Sequence, residues 1–442
     1  MEFDFQGNLY PVNRKASEIL GLKAFPSIKD IPGKVDYAIS CIPAQASLQV
    51  VEDCASKGTK VLQFYTAGFS ETGEEEGKRL EEELVRRACH NGMRVIGPNC
   101  IGTHYPRGGL SFGRARFAQK SGAVGCLVQS GGHAWTLVSQ GSIRGIRFSK
   151  VFSFGNACDL DESDFLEYLA EDPETKVIAA YIEGVKSGQR FLRAITKAAA
   201  TKPVIIIKGG RTEAGTRAVA SHTGSLAGSD LVWDAIFRQV GAIRVYSIDE
   251  VIDTVLPFVC FPPVTGRSVG IVGGGGGASV QAADDCEAEQ LLVPHLPPEI
   301  RKKLEEFTPL AGSSLRNPVD AVGIWYGGNF LHTLEAVAAW DKIDFLVAHA
   351  TVELTGQWQG QNVLEGVIDA LLAAKERVTK PMTVILHSYG SAKGLVTMHD
   401  FQKRFAAAEI PVYPTIARAA NAISKFIAYH NRVAAARYLS GY

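Results

Sequence analysis

The chain has 442 residues, 46% of them hydrophobic and 21% charged, and its 46 basic side chains balance its 46 acidic ones. That length suits two or three domains, the lack of a basic stripe argues against a nucleic-acid binder, and no apolar run approaches the ~20 residues that span a bilayer. The start, Met1-Glu2-Phe3-Asp4, has neither the basic nor the apolar region of a secretory leader. The eight cysteines include no Cys-x-x-Cys pair, which argues against a zinc or redox motif and for a reducing, cytoplasmic setting.

Short apolar runs alternate with amphipathic stretches along the whole chain, the rhythm of parallel sheets flanked by helices. Three blocks follow one another. In the first, strands are predicted at Val35–Ser40, Lys60–Tyr65 and Arg94–Ile96, with helices at Ser47–Lys57 and Glu74–Asn91. In the second, strands are predicted at Ala123–Val128, Phe148–Ser153, Val177–Ile182 and Val204–Lys208, and helices at Ala134–Arg144, Glu162–Glu171, Arg190–Ala200 and Ser229–Val240. The segment Phe261-Pro262-Pro263-Val264-Thr265-Gly266 reads as a linker. The third block restarts with a strand at Ser268–Val272, five glycines (Gly273 to Gly277) and a helix reaching Gln290. Its later strands are Phe345–Ala348 and Thr383–His387, and its last helix is Thr415–Tyr438.

Ligands of open α/β sheets bind beyond the carboxyl ends of the strands, and four loops there carry candidate chemistry. Gln129-Ser130-Gly131-Gly132 joins a strand to a helix; it is either a tight turn or a cradle in which the helix N-terminus favours an anion. Gly155-Asn156-Ala157-Cys158-Asp159 reads equally as an anion-holding loop or as an N-cap and turn. The third stretch holds Lys208-Gly209-Gly210-Arg211 and then Ser221-His222-Thr223-Gly224. Its small residues imply an exposed, mobile loop around a histidine, and neutral imidazole is a good nucleophile near pH 7. The bland alternative is a surface histidine. The pentaglycine at Gly273–Gly277 either cradles phosphate or lets another element pack closely; the acidic residue expected of a dinucleotide fingerprint is not evident.

Taken together, these segments resemble the α subunit of NDP-forming acyl-CoA synthetases, a family that includes ADP-forming acetyl-CoA synthetases and is related to the succinyl-CoA synthetase α subunit. Lys208-Gly-Gly-Arg-Thr-Glu-Ala-Gly to Ser221-His222-Thr-Gly-Ser-Leu-Ala-Gly228 resembles that family's phosphohistidine segment. Tyr10-Pro-Val-Asn13, Gly97-Pro-Asn-Cys100 and Asp172-Pro-Glu-Thr-Lys-Val177 resemble further signatures. The resemblance implies an α/β chain of three Rossmann-like or flavodoxin-like parallel-sheet domains. These are a CoA-binding domain at 1–115, a succinyl-CoA synthetase-like flavodoxin-fold domain at 116–260 and a second flavodoxin-like domain at 266–442.

It also implies the reaction: acyl-CoA, ADP (or GDP) and phosphate give carboxylic acid, CoA and ATP (or GTP), reversibly. The route passes through an acyl phosphate and a phosphohistidine at His222, beside the carboxylate of Glu183. Gln129, Ser130, Gly131, Gly155 and Asn156 would hold phosphate and the acyl group. Asn13, Lys15, Pro43, Ala44, Thr66, Phe69 and Asn99 would hold CoA. No metal site is expected on this chain; a magnesium–nucleotide would sit on an ATP-grasp β subunit, in a heterotetramer.

Four departures accompany the resemblance. The family's opening strand and glycine-rich loop are expected to be missing ahead of Tyr10, leaving the first domain incomplete at its N-terminus. Val128 stands where the family has serine, and His133 where it has a small or apolar residue. Gly274-Gly-Gly-Gly-Ala-Ser279 replaces Asn-Ala-Gly-Gly-Pro-Gly. The competing readings are a non-catalytic CoA or acyl-CoA-binding module and an NAD-dependent oxidoreductase.

Overall fold

A computed structural model describes residues 5–112, 120–223, 228–326, 328–353, 355 and 360–440, leaving aside the side chains of residues 220–223, 361 and 439–440. The chain divides into two compact units, Met1–Gln140 with Arg147–Val251, and Gly141–Ile146 with Ile252–Tyr442.

The first unit opens with a two-residue antiparallel pair, β1 (Glu18–Ile19) and β2 (Leu22–Lys23). A parallel three-stranded sheet follows, built from β3 (Tyr37–Ser40), β4 (Val61–Phe64) and β5 (Arg94–Ile96) in that order. Helices α1 (Ser47–Ser56) and α2 (Glu75–His90) pack on it, burying Val51, Cys54, Leu84 and Ala88 against Leu62, Phe64 and Val95.

The larger sheet of this unit comprises β6 (Gly102–His104), β7 (Val124–Val128), β8 (Phe148–Ser153), β9 (Val177–Ile182), β10 (Val204–Lys208) and β11 (Ile243–Val245). Their order is β11-β10-β9-β7-β8-β6, all parallel except β6, which runs antiparallel to β8. Every residue of β7 and β10 is buried. Helices cover both faces of a parallel sheet, so its strands read as continuous apolar runs. Helices α3 (Gly131–Ile143), α4 (Glu162–Glu171), α5 (Gly188–Thr201), α6 (Glu213–Thr223) and α7 (Asp230–Val240) follow the strands. Helix α4 matches the predicted bounds because Asp161 caps it: its carboxylate accepts from the backbone of Ser163 and Asp164, and Asp164 returns the bond.

One local expectation is corrected. The stretch read as an exposed, mobile loop around His222 is helical from Glu213 to Thr223. An acidic first residue, an Arg217–Glu213 ion pair one turn apart and an alanine-rich sequence favour that helix over a loop.

Edge strand β5 of the smaller sheet is tied to the loop that follows β8 of the larger one. Asp159 accepts from Val95 N (2.7 Å) and from Arg94 Nε (3.0 Å), and Leu160 N donates to Val95 O. Strand β6, assigned by the sequence reading to the first block, is hydrogen-bonded into the second sheet.

The second unit repeats the theme. Its strands are β12 (Val269–Gly273), β13 (Ser314–Leu315), β14 (Val319–Asp320), β15 (Phe345–Thr351), β16 (Met382–His387) and β17 (Val412–Tyr413), ordered β13-β14-β12-β15-β16-β17. The pentaglycine leaves β12 with positive φ at Gly273, Gly274 and Gly275, then enters the helix Gly276–Ala288. A β-carbon at Gly274 would lie 2.5 Å from the ring of His349, so close packing under the loop accounts for glycine there.

Candidate functional site

In the sheet order β8-β7-β9-β10-β11, the strands on either side of the β7–β9 pair wind in opposite directions along the chain, which makes the carboxyl ends of β7 and β9 the topological switch point. The loops that leave those ends are Gln129-Ser130-Gly131 and Glu183-Gly184. The former opens a cavity of about 360 Å³ lined by Gln129, Ser130, Gly131, Gly132 and Gly155, and on the other side by Tyr65, Thr66, Ala67, Asn99, Cys100 and Ile101. Two groups of residues read separately from the sequence, Thr66 and Asn99 for CoA and Gln129, Ser130, Gly131 and Gly155 for phosphate or acyl group, therefore share one crevice.

Backbone geometry brings these loops together. Ser130 precedes the first residue of α3; its Oγ accepts from His133 N at 3.4 Å. The N-terminal turn of a thirteen-residue helix thus faces the crevice, with the positive end of its dipole. Gly155 has φ +52, and a β-carbon there would overlap the carbonyl oxygens of Pro98 and Asn99. Asn99 is itself left-handed, with φ +56, a region asparagine tolerates well.

Several residues take roles other than those read from the sequence. Gln129 is buried, and its side-chain oxygen accepts from Glu183 N (2.7 Å) and Gly184 N (3.4 Å); it clamps the end of β9 while its other atoms border the cavity. Asn156 is 0% exposed, and its amide nitrogen donates to Glu71 Oε2 (2.5 Å) and Glu81 Oε2 (2.9 Å). Its side-chain amide ties loops together, and its backbone N–H, the donor expected for phosphate, is given to Pro98 O at 3.0 Å. Phe69 is also in the core, its ring edge-on to Phe64 at 6.2 Å, and it does not line the described cavity. Ala44 is buried and Pro43 exposed at the turn after β3. Asn13 and Lys15 lie on an exposed turn in which Asn13 Oδ1 accepts from Lys15 N and Ala16 N. Neither borders the described cavity.

Glu71 organises the CoA-side loop. Burial alone would raise its carboxyl, but donation from Asn156 Nδ2, Gly68 N and Phe69 N together outweighs that effect and holds it below the usual carboxylate range. The single turn Ser70–Thr72 that carries Glu71 packs against α6, the helix whose range includes His222.

Glu183 is 4% exposed at the end of β9. Its backbone is held on both sides, N–H by Gln129 and carbonyl by Lys208 Nζ at 2.6 Å. Its Oε1 accepts from Tyr181 Oη at 3.1 Å. Lys208 is buried beside it, with its ammonium 5.2 Å from the centre of the Trp233 ring; burial pushes that ammonium down to about 8, against the opposing pull of Glu183. The side chain of His222 lies outside the described residues. Tyr181 was missed by the sequence reading, although its place two residues before Glu183 on a strand puts both on one face. No group of three or more metal-ligating side chains occurs among the described residues.

Comparison with known proteins identifies relatives of both halves of this crevice. The CoA binding domain family matches residues 3–106, and the succinyl-CoA ligase like flavodoxin domain family matches residues 121–258. Acetate–CoA ligase [ADP-forming] II subunit alpha of Pyrococcus furiosus is 39% identical over 365 residues, 83% of this chain and 79% of its own length. A 4-hydroxybutyrate–CoA ligase [ADP-forming] of Nitrosopumilus maritimus is 35% identical over 78% of this chain. The chain spans about half the length of that relative and of the acetate–CoA ligases of Archaeoglobus fulgidus (I) and Methanocaldococcus jannaschii. Among solved structures, dinucleotide forming acetyl-coenzyme A synthetase 1 of Ca. Korarchaeum cryptofilum, in complex with phosphate and ADP, superposes with a TM-score of 0.80 at 33% identity. That match covers 97% of this chain and 90% of the other.

Proposed function

The chain belongs to the family of ADP-forming acetate–CoA ligase α subunits, acid–thiol ligases of the succinyl-CoA ligase α superfamily, and from that premise we propose that it catalyses the acyl-transfer half of the reaction through a phosphohistidine at His222. Phosphate attacks the thioester carbonyl, the C–S bond breaks and CoA leaves as its thiol, giving an acyl phosphate. A ring nitrogen of His222 then attacks phosphorus. The bond between phosphorus and the acyl oxygen breaks, and the carboxylate departs with the electron pair.

The observation that carries this reading is the shared crevice, with Thr66 and Asn99 on one wall and Ser130, Gly131 and Gly155 on the other. Phosphorolysis of a thioester needs the CoA sulfur, the acyl carbonyl and phosphate in one pocket. The start of α3 supplies N–H groups where negative charge develops. Glu183, held by Gln129 and Lys208, is the carboxylate that fixes the imidazole tautomer and offsets its positive charge, as a carboxylate does for a nucleophile-activating histidine.

The remaining parts of the proposal concern the assembly. The phosphoryl group passes to ADP or GDP on an ATP-grasp β subunit, which supplies the magnesium–nucleotide, and the two subunits form a heterotetramer in the cytoplasm. No helix among the described residues is long and apolar enough to cross a membrane. The chain comprises a CoA-binding domain at 1–115, the phosphohistidine domain at 116–260 and a second flavodoxin-like domain at 266–442. Asn13, Lys15, Pro43 and Ala44 extend the CoA site beyond the crevice.

Incubation with acyl-CoAs and radiolabelled inorganic phosphate tests the reading. Acid-labile label on the chain, absent in His222→Asn, is the expected result. CoA binding with no label from any acyl-CoA, even with a β subunit and ATP, would replace it with the non-catalytic binding module.

A further inference from the structure

The environment of Glu183 contains a tyrosine for which the reaction as proposed has no role. We infer that Tyr181 is a positioning residue that sets the side-chain orientation of Glu183 and so governs phosphoryl transfer to His222. This rests on the phosphohistidine reading above.

Both backbone polar groups of Glu183 are occupied, N–H by Gln129 Oε1 and carbonyl by Lys208 Nζ. The backbone position is therefore settled, and the side-chain torsions decide where the carboxylate points. Tyr181 Oη donates to Oε1 at 3.1 Å, which fixes one oxygen and orients the plane of the group. Burial, reinforced by the adjacent Glu183 charge, holds the phenol well above its ordinary value, so it remains a proton donor at every working pH.

The tyrosine is itself fixed. The imidazole of His133, in the first turn of α3, packs on its ring with centroids 4.5 Å apart. On the other side, Gly209 opens the segment that leads to α6. A β-carbon there would stand 3.0 Å from Tyr181 Oη and 3.4 Å from Glu183 Cγ, and glycine leaves room for the bond between them. A phenol oriented from the helix that borders the crevice thus links that helix to the carboxylate.

The test uses the whole chain with its β subunit, rapid mixing with acyl-CoA and labelled phosphate, and two variants, Tyr181→Phe and Gly209→Ala. Loss of a hydrogen bond to a charged group predicts a labelling rate at saturating acyl-CoA lower by about tenfold or more. The KM for acyl-CoA should stay within about twofold, because neither residue borders the CoA wall. Wild-type labelling rates in Tyr181→Phe would overturn the inference, as would a loss expressed in KM with an unchanged saturating rate. If Tyr181→Phe fails to fold, Gly209→Ala is the fallback: its β-carbon would crowd Tyr181 Oη more closely than Glu183 Cγ, so an unchanged saturating rate there overturns the inference. Failure of the wild type to label, with folded protein, would strike the phosphohistidine reading itself, an outcome distinct from normal labelling by the variants.

Discussion

Gly155 and Pro98 are in direct backbone contact: a β-carbon on Gly155 would overlap the Pro98 carbonyl oxygen, and Asn156 N donates to that same oxygen at 3.0 Å. The loop after β8 therefore rests on the loop after β5, at a point where a side chain on residue 155 would hold the two apart.

Gly155→Ala adds the overlapping carbon at a residue whose φ of +52 already disfavours alanine. A strained φ of this kind costs about 1–3 kcal/mol before any clash is counted. The variant should unfold at lower urea concentration than the wild type. Its affinity for CoA should fall as well, because Asn99 cannot keep its place. Equilibrium denaturation and calorimetric CoA titration measure the two effects.

Asn156→Asp replaces an amide donor with a third carboxylate beside half-buried Glu71 and buried Glu81, at a position that is itself fully buried. Losing a hydrogen bond to a charged group costs about 1.5–3 kcal/mol, and the added like charge adds to that. The loss should be greatest at neutral pH and should shrink on acidification, as protonation relieves the repulsion between carboxylates. Asn156→Ala, which removes the donor and adds no charge, should be less destabilising and less sensitive to pH. Urea titrations of both variants at pH 5 and pH 8 separate the two cases. A pH-independent loss in Asn156→Asp would contradict the buried network.

Lys208 makes stability depend on pH in the alkaline range. Its ammonium titrates near 8 in the folded chain, against an ordinary value of 10.5. Between those values the unfolded chain binds more protons than the folded one, so this residue makes stability rise with pH across that window. Below about pH 8 both states are protonated, and the full cost of the buried charge is felt. Lys208→Met should flatten the rise between pH 8 and 10, as read from denaturant midpoints. It should also slow labelling of His222, because the Glu183 carbonyl loses its donor. Lys208→Arg, which keeps a donor and a charge, should retain more activity than the methionine variant.

How much of this was legible in the sequence depends on the range of the interaction. Strands such as Val204–Lys208 and Val177–Ile182 are apolar β-branched runs, and their bounds in the structure match the sequence reading. Helix α4 starts where Asp161 can cap it. Strand ends followed by small or polar residues pointed to Gln129, Ser130 and Gly155, and the family resemblance pointed to Glu183; the loops that hold Gln129 and Glu183 meet at the switch point. The helix at Glu213–Thr223 was not legible, because glycine, serine and threonine around His222 read as loop, whereas alanines and an ion pair one turn apart stabilise a helix.

The sequence by itself thus determined the central strands, many of the helices between them, their alternation and several loops able to carry chemistry, since helix and strand periods and caps depend on neighbours a few residues away. Only the tertiary structure decided which loops meet and which polar atoms are already engaged. Asn156 finds its carboxylate partners 85 and 75 residues away, and Gln129 spends its oxygen on a backbone N–H 54 residues along the chain. Phe69, next to a groove in sequence, sits in the core because its ring has Phe64 to pack against. Such pairings follow from strand order and burial, which place distant segments within hydrogen-bonding reach, and no local pattern of residues encodes them.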